Sequence, residues 1–188
     1  MRIDRTDVPF RIGIDPKNPL ASLLHILELR LGLDAEIAAV AAVRRRRDQM
    51  SAIMRALANI EKASKAGKDA VAEDLKFHLS IAEATRNPFF FELIQFLGGA
   101  FYSAIAVTRA NEGRFEALSK QARIEHEAIA QAIADRDPHA AAAAARAHIE
   151  KASQRLLSAD AEFWKSKAAQ VMPRSNQLRL KTRILRTP

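Results

Sequence analysis

Asp74-Leu75-Lys76-Phe77-His78-Leu79-Ser80-Ile81-Ala82-Glu83-Ala84-Thr85-Arg86-Asn87 decides how the rest of this sequence is read. In a helix, a carboxylate and an imidazole four residues apart lie one above the other, with Cβ atoms about 6 Å apart, so Asp74 and His78 can reach one ion. Ile81 and Thr85 continue the same face, which marks it as an inward face. A buried carboxylate and imidazole need partners. Either they satisfy each other, or a cation gathers them together with ligands from other helices.

Outward from this helix, which the pattern places at about Asp69 to Arg86, the helical period recurs on both sides. Upstream, Met50, Ile53, Met54, Leu57 and Ile60 mark a helix capped by Asp48 and stopped near Gly67. Before it, an alanine-rich helix runs from about Asp34 to Arg46, and its Arg44–Arg47 run complements the C-terminal helix dipole. The first helix opens at Asn18-Pro19, carries Leu20, Leu23, Leu24, Leu27 and Leu31, and ends near Gly32. Arg30 falls beside that stripe. Residues 1–18, punctuated by Pro9, Gly13 and Pro16, read as an extended lead-in.

Downstream, Asn87-Pro88 restarts the chain, and five of the nine phenylalanines lie between Phe89 and Phe101, which predicts a central helix, apolar nearly all round. The next helix, about Arg114 to Ala134, puts Leu118, Ala122, His126, Ile129 and Ile133 on one face. The last and longest opens at Asp137-Pro138 and reaches about Trp164, with Ala141, Ala144, Ala145, His148, Ala152 and Leu156 on one side. Nothing reads as a strand. The expected fold is all-α, an antiparallel bundle of about six to seven helices over residues 19–164.

Asp74, His78, His126 and His148 each sit on the inward stripe of their helix. Three imidazoles and one carboxylate suit a divalent ion, zinc first, then nickel, manganese or iron. A single histidine on an apolar face is more often a hydrogen-bonded core residue; four such groups on three helices leave the two readings balanced. His25 and His139 do not share those stripes.

The chain has no cysteine, which excludes disulfides and thiolate metal sites. No stretch offers roughly 18 uninterrupted apolar residues, and Asp4 and Asp7 break any signal-peptide core, so a cytoplasmic location and no membrane contact are expected. The net charge of +8 is concentrated at one end: residues 165–188 hold seven basic groups and no acidic one, which reads as a basic, flexible tail behind a nearly neutral body.

The run Asp74 to Asn87, then Glu125-His126-Glu127-Ala128-Ile129 and Ala147-His148-Ile149, resembles the FCD domain, the C-terminal effector-binding domain of FadR-type GntR transcription regulators. Glu28-Leu29-Arg30 followed by Asp34-Ala35-Glu36-Ile37 is similar to the family's opening pattern, and the resemblance covers about residues 19–158. It implies a cytoplasmic homodimer in which Asp74, His78, His126 and His148 hold a divalent metal and a small carboxylic acid binds above it. It also implies an effector contact for Arg30, whose guanidinium fork suits a carboxylate, and for Asn87, which equally suits a helix cap. Family regulators read DNA through a winged helix-turn-helix, a fold that the 18 residues ahead of the first helix are too few to form. The rival is a small helical metalloenzyme, for which the sequence offers no clear general base, since Glu125 and Glu127 beside His126 are expected to project to other faces.

Overall fold

In the computed structural model, which describes residues 14–15, 17–166 and 169, the first leucine stripe continues into one unbroken helix, α1 (Pro19–Arg44). The chain enters it as expected: the Asn18 side chain accepts from the Ala21 N–H, and Pro19 occupies the first turn. The expected stop at Gly32 does not occur. Glycine inside a helix costs only about 1 kcal/mol relative to alanine, and the buried face runs straight past it, from Leu23, Ile26 and Leu27 over Arg30 and Asp34 to Ile37, Ala38 and Ala41. One helix replaces the two expected between Pro19 and Arg46, and Asp34 lies in its middle rather than at a helix start.

Helix α2 (Arg47–Lys65) begins at Arg46, whose N–H donates to the Gln49 side chain; Asp48, the expected cap, instead pairs with the Arg46 guanidinium. Helix α3 (Val71–Ala84) carries the Asp74–His78 stretch, and its Asp74, His78, Ile81 and Thr85 stripe is buried as expected. The phenylalanine-rich segment is not one central helix. It breaks at Leu97 into α4 (Pro88–Phe96) and α5 (Gly98–Glu112), bent by 67°. The Gly98-Gly99 pair weakens helix continuity there. Only α5 is central; α4 buries Ile94 and leaves Phe89 75% and Phe96 68% exposed.

Helix α6 (Glu116–Ala134) and α7 (Pro138–Leu157) follow, with Asp137 capping α7 through the Ala140 N–H. The last helix was expected to reach Trp164, but it ends at Leu157. Asp160 then accepts from the Phe163 N–H and opens a separate short turn, α8 (Ala161–Lys165), a local side-chain bond that competes with helix continuation. The described residues form eight helices and no strand. The expected lead-in over 1–18 and the basic tail over 165–188 fall almost entirely outside the described residues.

Helix α1 packs chiefly against α7, α2 against α3, and α6 against α7, while α5 touches α1, α3, α6 and α7 from the middle. Leu23, Leu27, Ile53, Phe77, Phe101, Ile105, Ile129, Ile133, Ile149 and Leu156 form the fully buried centre. No single helix is long and apolar enough to cross a membrane.

One link joins distant corners. Arg45, just past α1, donates to the carbonyls of Ile133 and Ala134 at the end of α6, at 3.2 and 2.6 Å. Arg136, just past α6, donates to the carbonyls of Val43 and Arg45, at 3.0 and 3.1 Å. Each arginine satisfies carbonyls that the other helix end leaves unpaired. Arg45 thus serves the C-terminus of α6, a more specific role than the dipole complement expected of the arginine run.

Candidate metal centre

Helices α3, α6 and α7 each bring one histidine to a common point. His78, His126 and His148 are all buried, and one nitrogen of each lies within 4.8 Å of the others. The ring centroids are 5.8 Å apart for His78 and His126, 5.7 Å for His78 and His148, and 4.4 Å for His126 and His148. Phe77 presses edge-on against His78 and His126, at 5.5 and 5.2 Å between centroids, and limits how those rings can turn.

The fourth expected ligand stands beside two of them. Asp74 Oδ1 is 3.4 Å from His78 Nε2, and its Oδ2 is 3.7 Å from His126 Nε2. Burial works against charge on Asp74, but the donors around it, the Arg109 guanidinium at 3.1 Å among them, outweigh it and hold the carboxyl well below the usual range. Burial has the opposite result for His126, pushing it well below the ordinary imidazole value and keeping it neutral. Burial likewise lowers His148, against the pull of Glu125. Neutral imidazoles facing one carboxylate are the protonation states that a divalent ion requires.

One atom tests the fit. His126 Nε2 is buried with no hydrogen-bond partner, the only such side-chain atom among the described residues. An orphaned nitrogen inside a ring of two other imidazoles and a carboxylate is costly unless something electropositive sits against its lone pair. His148 is oriented for the same purpose: its Nδ1 donates to Glu125 Oε2 at 3.0 Å, which leaves Nε2 as the free lone pair.

The expected effector arginine also lies here. Arg30 is 2% exposed, and it donates to Asp34 Oδ2 through Nε at 3.2 Å and Nη2 at 2.9 Å. Nη2 also donates to His78 Nε2 at 2.9 Å, with His78 Nδ1 3.5 Å from Asp34, so a cation held at His78 Nε2 would take the place of this Arg30 contact. The Arg30 guanidinium further lies over the Phe101 ring, 5.4 Å from its centroid. Asn87 is half-buried, and its side-chain oxygen accepts from the Phe89 N–H, the cap of α4. His25 and His139 are exposed, away from the cluster as their register predicts.

A family model for the FCD domain matches residues 25–151. The chain belongs to the FCD domain family. Among solved structures this FCD domain is similar to a GntR protein of Streptococcus agalactiae, with 26% sequence identity and a TM-score of 0.58 over 74% of this chain and 60% of that one. The chain therefore spans somewhat less than two thirds of that protein's length. No curated protein sequence matches it. The buried histidine triad of this FCD domain is capable of coordinating a metal.

Several residues around the triad of this FCD domain were not read from the sequence. Glu125 does not project away from the site; it is buried and bridges His148 to Arg155, whose Nη1 and Nη2 donate to its two oxygens at 2.7 and 2.9 Å. These bonds and the His148 contact overcome burial and bring the Glu125 carboxyl down to about 2. Arg155 also donates through Nε to Glu112 Oε1 at 3.1 Å. Burial dominates for Glu112, whose carboxyl is pushed up to about 7 despite that contact. Arg109 donates through Nη1 to Asp74 Oδ2 at 3.1 Å. A signal for Arg155 existed: it lies two turns after His148 on the same inward stripe.

Proposed function

We propose that this chain is the effector- and metal-sensing domain of a GntR/FadR-type transcription regulator acting in the cytoplasm as a homodimer. The single observation that carries the metal part is the orphaned Nε2 of His126 within the triad. His78, His126 and His148 would hold the ion, with Asp74 as the carboxylate member of the set, and zinc is the first choice because a set of imidazoles and one carboxylate suits it. A divalent ion held by three neutral imidazoles and one carboxylate keeps a net positive charge and attracts an anionic oxygen. The ligand we assign is therefore a small carboxylic acid.

The protein's own groups support that reading. Arg30 sits at the triad with a guanidinium suited to a carboxylate, and Asp34 already occupies the place such an anion would take. An acid that displaces Asp34 would exchange one charge-assisted pair on Arg30 for another, and the buried Asp34 carboxylate would then have to turn to another donor. Asn87 is the further effector contact that the family likeness suggests; its oxygen caps α4, which leaves its amide N–H groups for a ligand. In regulators of this kind, ligand occupancy is coupled to the arrangement of two DNA-binding modules, a coupling free energy between sites.

Zinc titration of the metal-stripped chain, read by calorimetry and melting temperature, tests the proposal. One ion per chain and a higher melting temperature are expected, with both effects weakened by His126→Ala. Full occupancy in a His78/His126/His148 triple alanine variant would overturn the assignment.

A further inference from the structure

A cleft of about 1300 Å³ lies between α2, α5 and α6, and its lining joins His126 to Arg109. Arg30 does not line it, and the Arg30 side chain is 3% exposed, against 15% for that of Arg109. Of the three arginines that line the cleft with His126, Arg114 pairs with Asp160 and Arg123 lies 3.6 Å from Glu61, while Arg109 contacts the Asp74 oxygen beside His126. The cleft's volume exceeds the roughly 300–1000 Å³ of ordinary small-molecule pockets, which is far more room than a two- or three-carbon acid fills.

Arg109 is held in place chiefly by neutral oxygens. Nε donates to the Asp69 carbonyl at 2.7 Å and Nη2 to Ser64 Oγ at 2.9 Å. Its one charged partner is Asp74, and the Asp74 oxygen that it contacts at 3.1 Å is also 3.7 Å from the orphaned nitrogen of His126. A cation drawn to that nitrogen and that oxygen takes up the negative charge of Asp74. Arg109 is then still fixed by two neutral acceptors, but its own charge has lost its counterpart. A positioned guanidinium without a counterion beside open space is a receptor for a second anion. Glu61, Asp69, Glu112, Glu116 and Glu127 also line the cleft, but none of these five carboxylates forms an ion pair with Arg109: Glu61 pairs with Lys65 and lies 3.6 Å from Arg123, Glu127 is 4.0 Å from Arg123, and Glu112 is bound to Arg155. Lys68 and Lys120, both exposed, add positive charge at the rim.

We infer that the ligand is a di- or tricarboxylate that enters through the α2/α5/α6 cleft, with one carboxylate at the histidine triad and a second on Arg109. This rests on the carboxylate reading of the site given above and adds the charge count, the route and the second receptor. Arg109 is a specificity-determining residue: it separates a diacid from a monoacid of the same length.

Calorimetric titration of the zinc-loaded chain with acetate, lactate, malonate, succinate, glutarate and citrate, and with the monoamide of the best diacid, tests this. Wild type is expected to prefer the diacid over its monoamide by about tenfold to a hundredfold, the worth of one charge-assisted bond. At matched zinc content, Arg109→Gln should erase that preference and Arg109→Lys should restore part of it. Ala106→Phe, which fills the cleft without touching a charge, should weaken diacid binding about tenfold while acetate binding holds, and it reads the same route should Arg109→Gln not fold. A preference that survives in Arg109→Gln and in Ala106→Phe, or monoacids that bind wild type as tightly as diacids, would overturn this inference and leave the carboxylate reading standing. Failure of every acid to bind the zinc-loaded wild type would overturn the carboxylate reading itself.

Discussion

Replacing Glu125 by Ala removes one carboxylate that serves three donors, and the structure lets its two consequences be worked separately. The first is stability. Glu125 is 6% exposed and accepts from Arg155 at 2.7 and 2.9 Å and from His148 at 3.0 Å. Breaking a buried ion pair by deleting one partner costs about 3–5 kcal/mol, because the surviving charge is stranded. Arg155 is not wholly stranded, since Glu112 remains 3.0 Å from its Nη2 and 3.1 Å from its Nε. The lower end, about 3 kcal/mol, is therefore expected, or a fall in melting temperature of roughly 6–12 °C for a domain of this size. The second consequence is metal affinity. With Nδ1 of His148 released, the ring is free to turn and to change tautomer, and loss of such an orienting partner typically weakens binding about tenfold to a hundredfold. Urea denaturation of the metal-stripped protein measures the first, and zinc competition against a chelator measures the second in the folded variant. A metal-free variant as stable as wild type would refute the buried-pair account. Unchanged zinc affinity would refute the orienting role, whatever the stability result.

Glu112 gives a pH dependence whose sign follows from its raised carboxyl. The folded state holds the proton up to about pH 7, whereas the unfolded chain releases it near its ordinary value of 4.5, so the folded state binds more protons in between and this residue lowers stability as pH rises through that window. Glu112→Gln should remove this decline, so that melting curves show the variant gaining on wild type between about pH 5 and pH 7.5; a constant difference across that range would contradict it. Arg45→Ala and Arg136→Ala should each cost about 1–2 kcal/mol in urea denaturation, with a coupling in the double variant of about 0.5 kcal/mol or more, since both serve the same pair of helix ends. Phe77→Ala, at a site with no exposed surface that touches two of the histidine rings, should destabilise by about 3–5 kcal/mol. It should also weaken zinc binding, which calorimetry would show.

How much of this could be read from the chain depended on whether the information was local. Asp74 and His78 belong to one helix, and His126 and His148 lie on apolar stripes of their own, so periodicity alone set all four inward. Arg30 was placed beside its stripe for the same reason. Asp34 was misplaced because Gly32 and Asp34 look like a helix stop and a cap; the buried ladder from Leu23 to Ala41 overrides that weak punctuation. Glu125 was misjudged for a different reason. Its direction relative to His126 was right in register, but the face to which it turns is covered by α7, which only packing reveals. The phenylalanine run shows the limit most clearly, since composition cannot tell a buried apolar helix from an exposed one. The chain turns at Leu97, and only packing shows that the half after the turn is the buried one.

The crossed arginines at the α1 and α6 ends also have a mechanical meaning. His126 is fixed near the middle of α6, and that helix behaves as a rod whose far end is clasped by Arg45 while Arg136 clasps α1 in return. Two rods clasped in both directions do not slide past each other without breaking bonds at both ends. Both clasps lie at the corner between α1 and α2, and α1 runs from that corner back through Asp34 and Arg30. The triad and the buried guanidinium are thus joined twice, directly where Arg30 meets His78 and around the corner where the ends of α1 and α6 hold each other.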